Sequence, residues 1–201
     1  MAKHQVKRKF SIIEYIPIMF KAAYSFLLMR ILKRKKLVNK QFKERIMLAV
    51  TEVNGCALCS YMHTKMALKT GMTIEEIKQI LSGELDDIPN EEVIAVLFAK
   101  DFAFNKEKID MEFYNKLLNQ YGFLRTKLII YIVNFITMTN AMGISLDLLK
   151  ATLSFKHVKK SCVLNEILIP LSTLVFFPLF LIISLFIVPF MYLRLIRKNN
   201  E

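Results

Sequence analysis

Apolar positions recur at helical spacing through most of the chain, and the breaks between the periodic stretches are short. Apolar residues spaced three and four apart predict amphipathic helices, and the long alternating β-branched runs that predict strands are missing from the sequence. We therefore predict an all-α protein. The helices are predicted at about 11–32, 40–53, 56–70, 74–81, 90–105, 111–121, 124–142 and 146–154.

Glycine and capping residues suggest where several of these helices begin and end. Gly71, Gly122 and Gly143 each follow an apolar periodic stretch, and glycine commonly ends a helix because it tolerates a left-handed backbone. Asn90 follows a loop containing Pro89 and is expected to cap the next helix with its side chain. Asn54-Gly55 is expected to reverse or bend the chain between two helices.

The C-terminal segment is a candidate membrane anchor. Ile167 to Leu193 contains 27 residues without a charge, and basic residues stand on both sides of it. About 20 apolar residues are enough to span a bilayer as a helix. Because Pro170, Pro178 and Pro189 interrupt the segment, we expect either a kinked single span or a shallow hairpin. A buried core helix is the alternative, and the length and lack of charge argue against it.

The N-terminal segment combines basic and apolar residues. Ser11 and Glu14 have the spacing of a capping box, which predicts a helix that continues to about Leu32. Glu14, Lys21 and Arg30 argue against a membrane span and favour an interfacial helix or a packing arm in an oligomer. A secretory signal is a weaker interpretation, because charges interrupt the apolar region and no clear cleavage motif follows.

Charge divides the chain into three predicted regions. The net charge is +12, and residues 1–40 hold eleven Lys and Arg against one acid, whereas residues 41–155 are close to neutral. Residues 156–201 are again basic. Since both basic regions adjoin long apolar stretches, they favour membrane lipids over nucleic acid as partners. We expect a membrane-associated protein whose central domain faces the cytoplasm, because the larger basic load lies before the C-terminal apolar segment.

The sequence Asn54-Gly55-Cys56-Ala57-Leu58-Cys59-Ser60-Tyr61-Met62-His63 carries the candidate chemistry. On a helix, the spacings of three, four and seven residues bring Cys56, Cys59 and His63 onto one face. A thiolate is the reactive form of cysteine, and a neighbouring base or a helix N-terminus lowers the pKa of the thiol. Two thiols and an imidazole in reach of one another are therefore the parts of a thiol–disulfide redox centre.

This motif resembles the alkylhydroperoxidase D-like branch of the carboxymuconolactone decarboxylase family, and the similarity extends from about Gln41 to Phe155. The family pattern is a glutamate early in one helix, here Glu44, a short apolar run, and then Asn-Gly-Cys-x-x-Cys-x-x-x-His. Some members with peroxidase chemistry carry a second histidine between the cysteines, where this chain has Leu58. The resemblance predicts the family's helical redox domain, with a shorter proton relay than those members have.

The resemblance also implies a mechanism. Cys59 is the cysteine attacked by a hydroperoxide, Cys56 resolves the sulfenic acid to a disulfide, and Glu44 with His63 forms the proton relay. It implies no cofactor or metal, a thiol or disulfide reductant of unknown identity, and a homo-oligomer. A lipid hydroperoxide is a possible substrate because of the predicted membrane anchor.

Four other interpretations of the motif remain open from the sequence. Two cysteines and His63 supply three zinc ligands where a structural site needs four, and His4, His157 and Cys162 are the remaining candidates. The two cysteines also fit a buried helical core, since free cysteine packs like a small hydrophobe. The third interpretation is a family member that has kept the fold and lost the activity. The fourth is a lactone decarboxylase, although that reaction needs no dithiol.

A non-enzymatic role is a further alternative. In a redox sensor or scaffold of the same family, the disulfide would alter membrane or partner binding without turnover.

Cys162 stands apart from the motif and is expected to be a reduced thiol, with palmitoylation as a weaker option beside the hydrophobic segment.

Overall fold

The computed structural model describes residues 7–154 and 162–200, and within them it contains seven α-helices and no strand. The all-α prediction is confirmed. His4, Lys156, His157, Lys159 and Lys160 lie outside the described residues. The helices are α1 (Ile12–Leu32), α2 (Lys40–Asn54), α3 (Ala57–Lys69), α4 (Ile74–Ser82), α5 (Asn90–Phe104), α6 (Met111–Leu153) and α7 (Val163–Asn200), with a 3₁₀ turn at Lys33–Lys35 after α1.

Helix α6 is the centre of the packing. It contacts α1 and α7 on one side and α2, α3 and α5 on the other, while α4 packs on α2 and α3. Ile129, Val133 and Ile136 of α6 are buried in the main apolar core, which also includes Ile46 and Phe98 from the helices around it. Since removing apolar surface from water is the dominant favourable term in folding, this shared core holds the helices that carry the redox motif.

Several predicted helix ends are confirmed, and two are wrong, one at Asn90 and one at Gly143. Ser11 and Glu14 form the predicted capping box of α1. Asn90 does not cap α5: it is the first residue of that helix, and Pro89 takes the N-cap position without a side-chain hydrogen bond. The Glu92 N–H donates to the Pro89 carbonyl at 2.7 Å, so the first turn closes one residue earlier than the side-chain pattern predicted.

The two glycines of α6 behave differently. Gly122 has non-helical φ and ψ of 70° and 172° and interrupts the helix, as predicted. Gly143 does not end the helix, and the predicted short helix 146–154 is the continuation of α6 to Leu153. Gly143 is buried, and its missing side chain makes room for a neighbouring group, described below. A glycine inside a helix is tolerated where such packing offsets its conformational cost.

Helix α7 is continuous through its three prolines, so the predicted hairpin is wrong. One face packs on α1 and α6, and the Thr173 hydroxyl lies 2.6 Å from the Tyr15 hydroxyl of α1. The Thr152 hydroxyl of α6 donates to Glu166 at 3.0 Å. The opposite face exposes many large apolar side chains, including Leu174.

Among the described residues, α1, α6 and α7 are long and apolar enough to cross a membrane by length and composition. For α1, this differs from the prediction that its charged residues argue against a span. Most of the apolar stretch of α6 is buried inside the protein, whereas most of that of α7 is exposed. Helix α7 is therefore the one whose apolar surface is left uncovered.

Candidate redox site

The chain reverses between α2 and α3 at Gly55. This residue has a left-handed φ of 72°, and its N–H donates to the Thr51 carbonyl at 2.9 Å, which closes the end of α2. Glycine adopts this conformation without the steric cost that a Cβ would bring. The predicted reversal at Asn54-Gly55 is confirmed, and it allows α3 to begin immediately and pack back on α2.

Cys56 and Cys59 form a disulfide at the start of α3. Cys56 is the N-cap residue, and its sulfur accepts the Cys59 N–H at 3.2 Å. The unpaired N–H groups and the positive end of the helix dipole favour negative charge at this position, so a reduced cysteine here is stabilised as a thiolate. Cys56 is fully buried, whereas Cys59 retains 7% exposure, which makes Cys59 the sulfur more open to a small molecule.

Glu44 and His63 meet across α2 and α3. The Oε2 atom of Glu44 lies 2.7 Å from Nδ1 of His63, and the Lys43 ammonium lies 3.5 Å from the other carboxylate oxygen. Glu44 is buried, and His63 follows Cys59 by one helical turn on α3. Because the carboxylate occupies Nδ1 and fixes the ring, Nε2 is the nitrogen that remains for a reacting group.

Helix α6 closes the site from the other side. A Cβ atom at Gly143 would stand 2.7 Å from the Cys56 sulfur and 3.0 Å from the Cys59 sulfur, so both sulfurs occupy the space that a side chain would fill. The Thr139 carbonyl oxygen lies 3.6 Å from the Cys59 sulfur and can accept a hydrogen bond when that sulfur is a thiol. Neither Gly143 nor Thr139 was predicted from the sequence to lie beside the cysteines. A buried glycine within an apolar helix was the available signal for Gly143.

An apolar cluster surrounds the sulfurs on the remaining side. It contains residues from all three predicted regions of the chain, including Met19 of α1, Met138 and Ile144 of α6, and Ile169 of α7. Such surroundings exclude water from the disulfide and strengthen electrostatic interactions inside the site. The terminal helices therefore contribute to the environment of the cysteines as well as to the outside of the protein.

Buried polar contacts fix α2 in place. The Thr51 hydroxyl donates to the side-chain oxygen of Asn140 on α6 at 3.2 Å. Arg45 donates to Glu76 of α4 at 2.6 Å and to Glu92 of α5 at 2.7 Å.

The Arg45 cluster also perturbs the pKa of its members. Burial disfavours the charged form of Arg45, but its hydrogen bonds to Glu76 and Glu92 outweigh this effect and raise the pKa of the guanidinium. Burial also raises the pKa of Glu92. The contact with Arg45 lowers this pKa, but by less than burial raises it. We take the arginine as charged throughout and Glu92 as the member that responds to pH, because arginine does not lose its proton in proteins.

No three histidine, cysteine, aspartate or glutamate side chains within 7–154 and 162–200 are arranged to hold a metal ion. Cys162 is an exposed free cysteine. Leu58 is 42% exposed, beside the two redox cysteines on the first turn of α3.

Comparison with known proteins gives two matches. Residues 20–99 match the model of the carboxymuconolactone decarboxylase family. The chain is 28% identical over 111 residues to the uncharacterized protein YdfG of Bacillus subtilis (strain 168), covering 54% of this chain and 76% of that protein. No solved structure matches the chain.

Proposed function

We propose that this protein is a thiol-dependent peroxidase that reduces a hydroperoxide to an alcohol, since residues 20–99 match the model of the carboxymuconolactone decarboxylase family, which includes alkylhydroperoxidase D-like proteins. The observation that carries the proposal is the Cys56–Cys59 pair at the N-terminus of α3, followed one turn later by His63 bonded to Glu44. These groups supply a thiolate, a resolving thiol and a proton carrier within one small site.

The reaction balances with the residues of the site. The Cys59 thiolate attacks the terminal oxygen of ROOH, the O–O bond breaks, and a proton goes to the leaving alkoxide to give ROH. Cys56 then attacks the sulfur of the sulfenic acid, which releases water and forms the disulfide. The sum is one hydroperoxide reduced to an alcohol and water while two thiols are oxidised. A dithiol reductant outside this chain must return the site to the reduced state.

The His63–Glu44 pair fits the proton transfers. Nδ1 of His63 faces the carboxylate, so Nε2 can take the thiol proton and deliver it to the leaving group. Cys59 is the better nucleophile candidate because it keeps some exposure, while the buried Cys56 is reached only from within the site. Leu58 offers no proton-transfer group, so His63 is the residue on which this step depends.

Membrane attachment and self-assembly complete the proposal. The exposed apolar face of α7 is suited to meet lipid, and the basic residues near both ends of the helix suit anionic head groups. We keep the cytoplasmic placement of the redox domain as part of the proposal, because a cycling dithiol needs reductant. A homo-oligomer is proposed by resemblance to the family.

The deciding experiment is a single-turnover oxidation of the purified, prereduced protein in detergent. One equivalent of an organic hydroperoxide is added, and the cysteines are mapped by mass spectrometry without reduction. We expect a rapid Cys56–Cys59 disulfide that is lost in Cys59→Ser and slowed in His63→Ala. Two unreacted thiols would refute the peroxidase proposal.

A redox sensor of the same family is the second candidate. It is favoured by the contact of both sulfurs with Gly143 of α6, since a change of sulfur geometry acts directly on a central helix. It predicts the same disulfide without repeated turnover when a reductant is supplied. The lactone decarboxylase alternative has no use for the dithiol, and only activity that survives replacement of both cysteines would support it.

A further inference from the structure

An apolar cleft of about 530 Å³ opens beside the redox site, between α1, α2, α3 and α6. Its volume is within the range of small-molecule pockets, roughly 300–1,000 Å³. The inner wall is formed by aromatic and aliphatic side chains from three of the helices. They are Phe26, Met29, Met47, Leu128, Ile132 and Phe135.

The edge of this cleft is basic. Its cationic side chains are Arg30, Lys33, Lys40, Lys43 and Lys69. Among the described residues, only Lys43 of these five has an ion pair, with Glu44 at 3.5 Å. The Arg30 guanidinium lies 5.6 Å from the Phe26 ring centre and pairs with no carboxylate there. The cleft therefore presents an apolar interior and an edge whose positive charge is mostly uncompensated.

Glu44 connects the cleft to the redox site. Among the residues that the structure describes, it is the one acidic residue that lines the cleft, and its carboxylate bonds to Nδ1 of His63 at 2.7 Å. Met66 of α3, which also lines the cleft, stands one turn after His63 on the same helix. A molecule lying in the cleft is thus in contact with the residue that orients the imidazole.

We propose that this cleft binds the substrate and that the substrate is a single-chain anionic amphiphile, a fatty acid hydroperoxide. The carboxylate is held at the basic edge, and the acyl chain lies along the apolar wall with its peroxide group toward the Glu44–His63 side. The reduction of the bound hydroperoxide depends on the proposed peroxidase function. The binding of a fatty acid carboxylate and acyl chain depends only on the cleft.

Charge and volume together select this ligand class. An uncharged hydrocarbon leaves the cationic edge without a partner, and a small anion leaves the apolar wall in contact with water. A single acyl chain with a terminal carboxylate satisfies both parts. A phospholipid carries two chains and a phosphate, and we treat its binding as a competing outcome.

Site-specific photolabelling tests the binding without depending on turnover. The full-length protein is placed in nanodiscs of an uncharged phospholipid and irradiated with a palmitate analogue that carries a diazirine in the middle of its chain. Labelled peptides are mapped by mass spectrometry. Oleate, methyl oleate and phosphatidylglycerol are added as competitors.

We expect labelling on cleft-lining segments of α1, α2 and α6, with oleate competing at least about tenfold better than methyl oleate, since a charge-assisted hydrogen bond contributes about that factor. Lys33→Glu/Lys69→Glu is expected to reduce labelling by a similar factor. Lys78→Glu/Lys108→Glu is the matched control, because it makes the same charge change at exposed residues outside the cleft. Val38→Trp, which fills the cleft from a connecting segment, should reduce labelling without changing charge.

Three results would overturn the proposal: equal competition by oleate and its methyl ester, equal labelling of the two double variants, or competition by phosphatidylglycerol that matches oleate. The two proposals fail separately. If tert-butyl hydroperoxide forms the disulfide but the cleft is not labelled, the peroxidase function stands and the substrate assignment is wrong. If the cleft is labelled but no hydroperoxide oxidises the cysteines, the binding site stands and the peroxidase function is wrong.

Discussion

Gly143 of α6 and Cys56 of α3 are packed so closely that a Cβ atom on the glycine would stand 2.7 Å from the cysteine sulfur. The contact joins the C-terminal part of α6 to the N-terminus of α3. It also explains why a glycine occupies the interior of a helix, where alanine is otherwise more stable by roughly 1 kcal/mol.

Gly143→Ala is therefore expected to destabilise the oxidised protein. The methyl group must displace sulfurs that the disulfide holds in place, and overpacking of this kind costs about 1–3 kcal/mol. The reduced protein should lose less stability, because free thiols can rotate away from the added methyl group. Thermal unfolding with and without reductant measures the difference.

The control for this effect is the same glycine substitution in a Cys56→Ser/Cys59→Ser background. Smaller hydroxyl groups in place of the sulfurs should remove most of the penalty. An equal loss of stability in both backgrounds would mean that the clash lies elsewhere in α6.

Glu44→Gln tests the proton relay separately from His63. Glutamine keeps the shape of the side chain but cannot stabilise a positively charged imidazole, so peroxide-driven disulfide formation should slow. Proton transfer by a positioned side chain accelerates a reaction by about 10²–10⁴-fold. We expect Glu44→Gln to lose part of this acceleration and His63→Ala to lose a larger part. Stopped-flow measurement of thiol loss gives the rates.

Glu52→Gln is the matched control, because Glu52 is on the same helix but pairs with Lys7 and Lys100 away from His63. It should oxidise at the rate of the unmodified protein. If Glu44→Gln is equally fast, the carboxylate positions α2 and α3 without taking part in proton transfer.

Arg45→Ala should be strongly destabilising, because it leaves the buried Glu92 and the partly buried Glu76 without their cation. Breaking a buried ion pair in this way costs about 3–5 kcal/mol. The pKa of Glu92 is already raised by burial, and losing Arg45 raises it further. A carboxyl whose pKa is higher in the folded state favours folding at low pH and opposes it as the pH rises above the ordinary value of 4.5. The deficit of Arg45→Ala should therefore be larger at pH 8 than at pH 5.

Denaturant unfolding at the two pH values tests this, with Lys116→Ala as the comparison. Lys116 pairs with Glu112 on the surface, and such a pair contributes less than about 1 kcal/mol. A deficit of Arg45→Ala that does not change with pH would show that the carboxylates find other partners.

The topology of α7 gives a further prediction. The helix has 38 residues, and its contacts with the rest of the protein extend from Glu166, at Thr152, to Lys198, whose ammonium lies 5.2 Å from the Phe123 ring centre. Because α7 is attached along its length to α1 and α6, it can cross the bilayer only together with them, and most of the apolar stretch of α6 is buried inside the protein. We therefore expect α7 to lie along the membrane surface with both ends on one side.

Single-cysteine accessibility tests the orientation. In a Cys56→Ser/Cys59→Ser background, Cys162 reports one end of α7, and Asn199→Cys with Cys162→Ser reports the other. A membrane-impermeant maleimide should label both from the same side of sealed vesicles. Labelling from opposite sides would establish a span and contradict this prediction.

The sequence was sufficient for the parts of the protein that depend on local chemistry. Helical periodicity gave the all-α class, and short-range capping gave the start of α1 and the end of α2 at Gly55. The three-residue spacing of Cys56 and Cys59 placed them on one turn, and Asn54-Gly55 indicated the chain reversal that the structure contains. Each of these follows from backbone geometry within about one helical turn or from one tight turn.

The remaining features depend on helices that are distant in the chain, and only the tertiary structure decided them. Gly143 looked like a helix end, because its local signal is the same whether a glycine breaks a helix or accommodates a neighbour. The continuity of α7 through three prolines, and the cleft between α1, α2, α3 and α6, likewise arise from packing between segments that the sequence separates. Local patterns specify helices one at a time, whereas the burial of apolar surface among them determines which side chains meet.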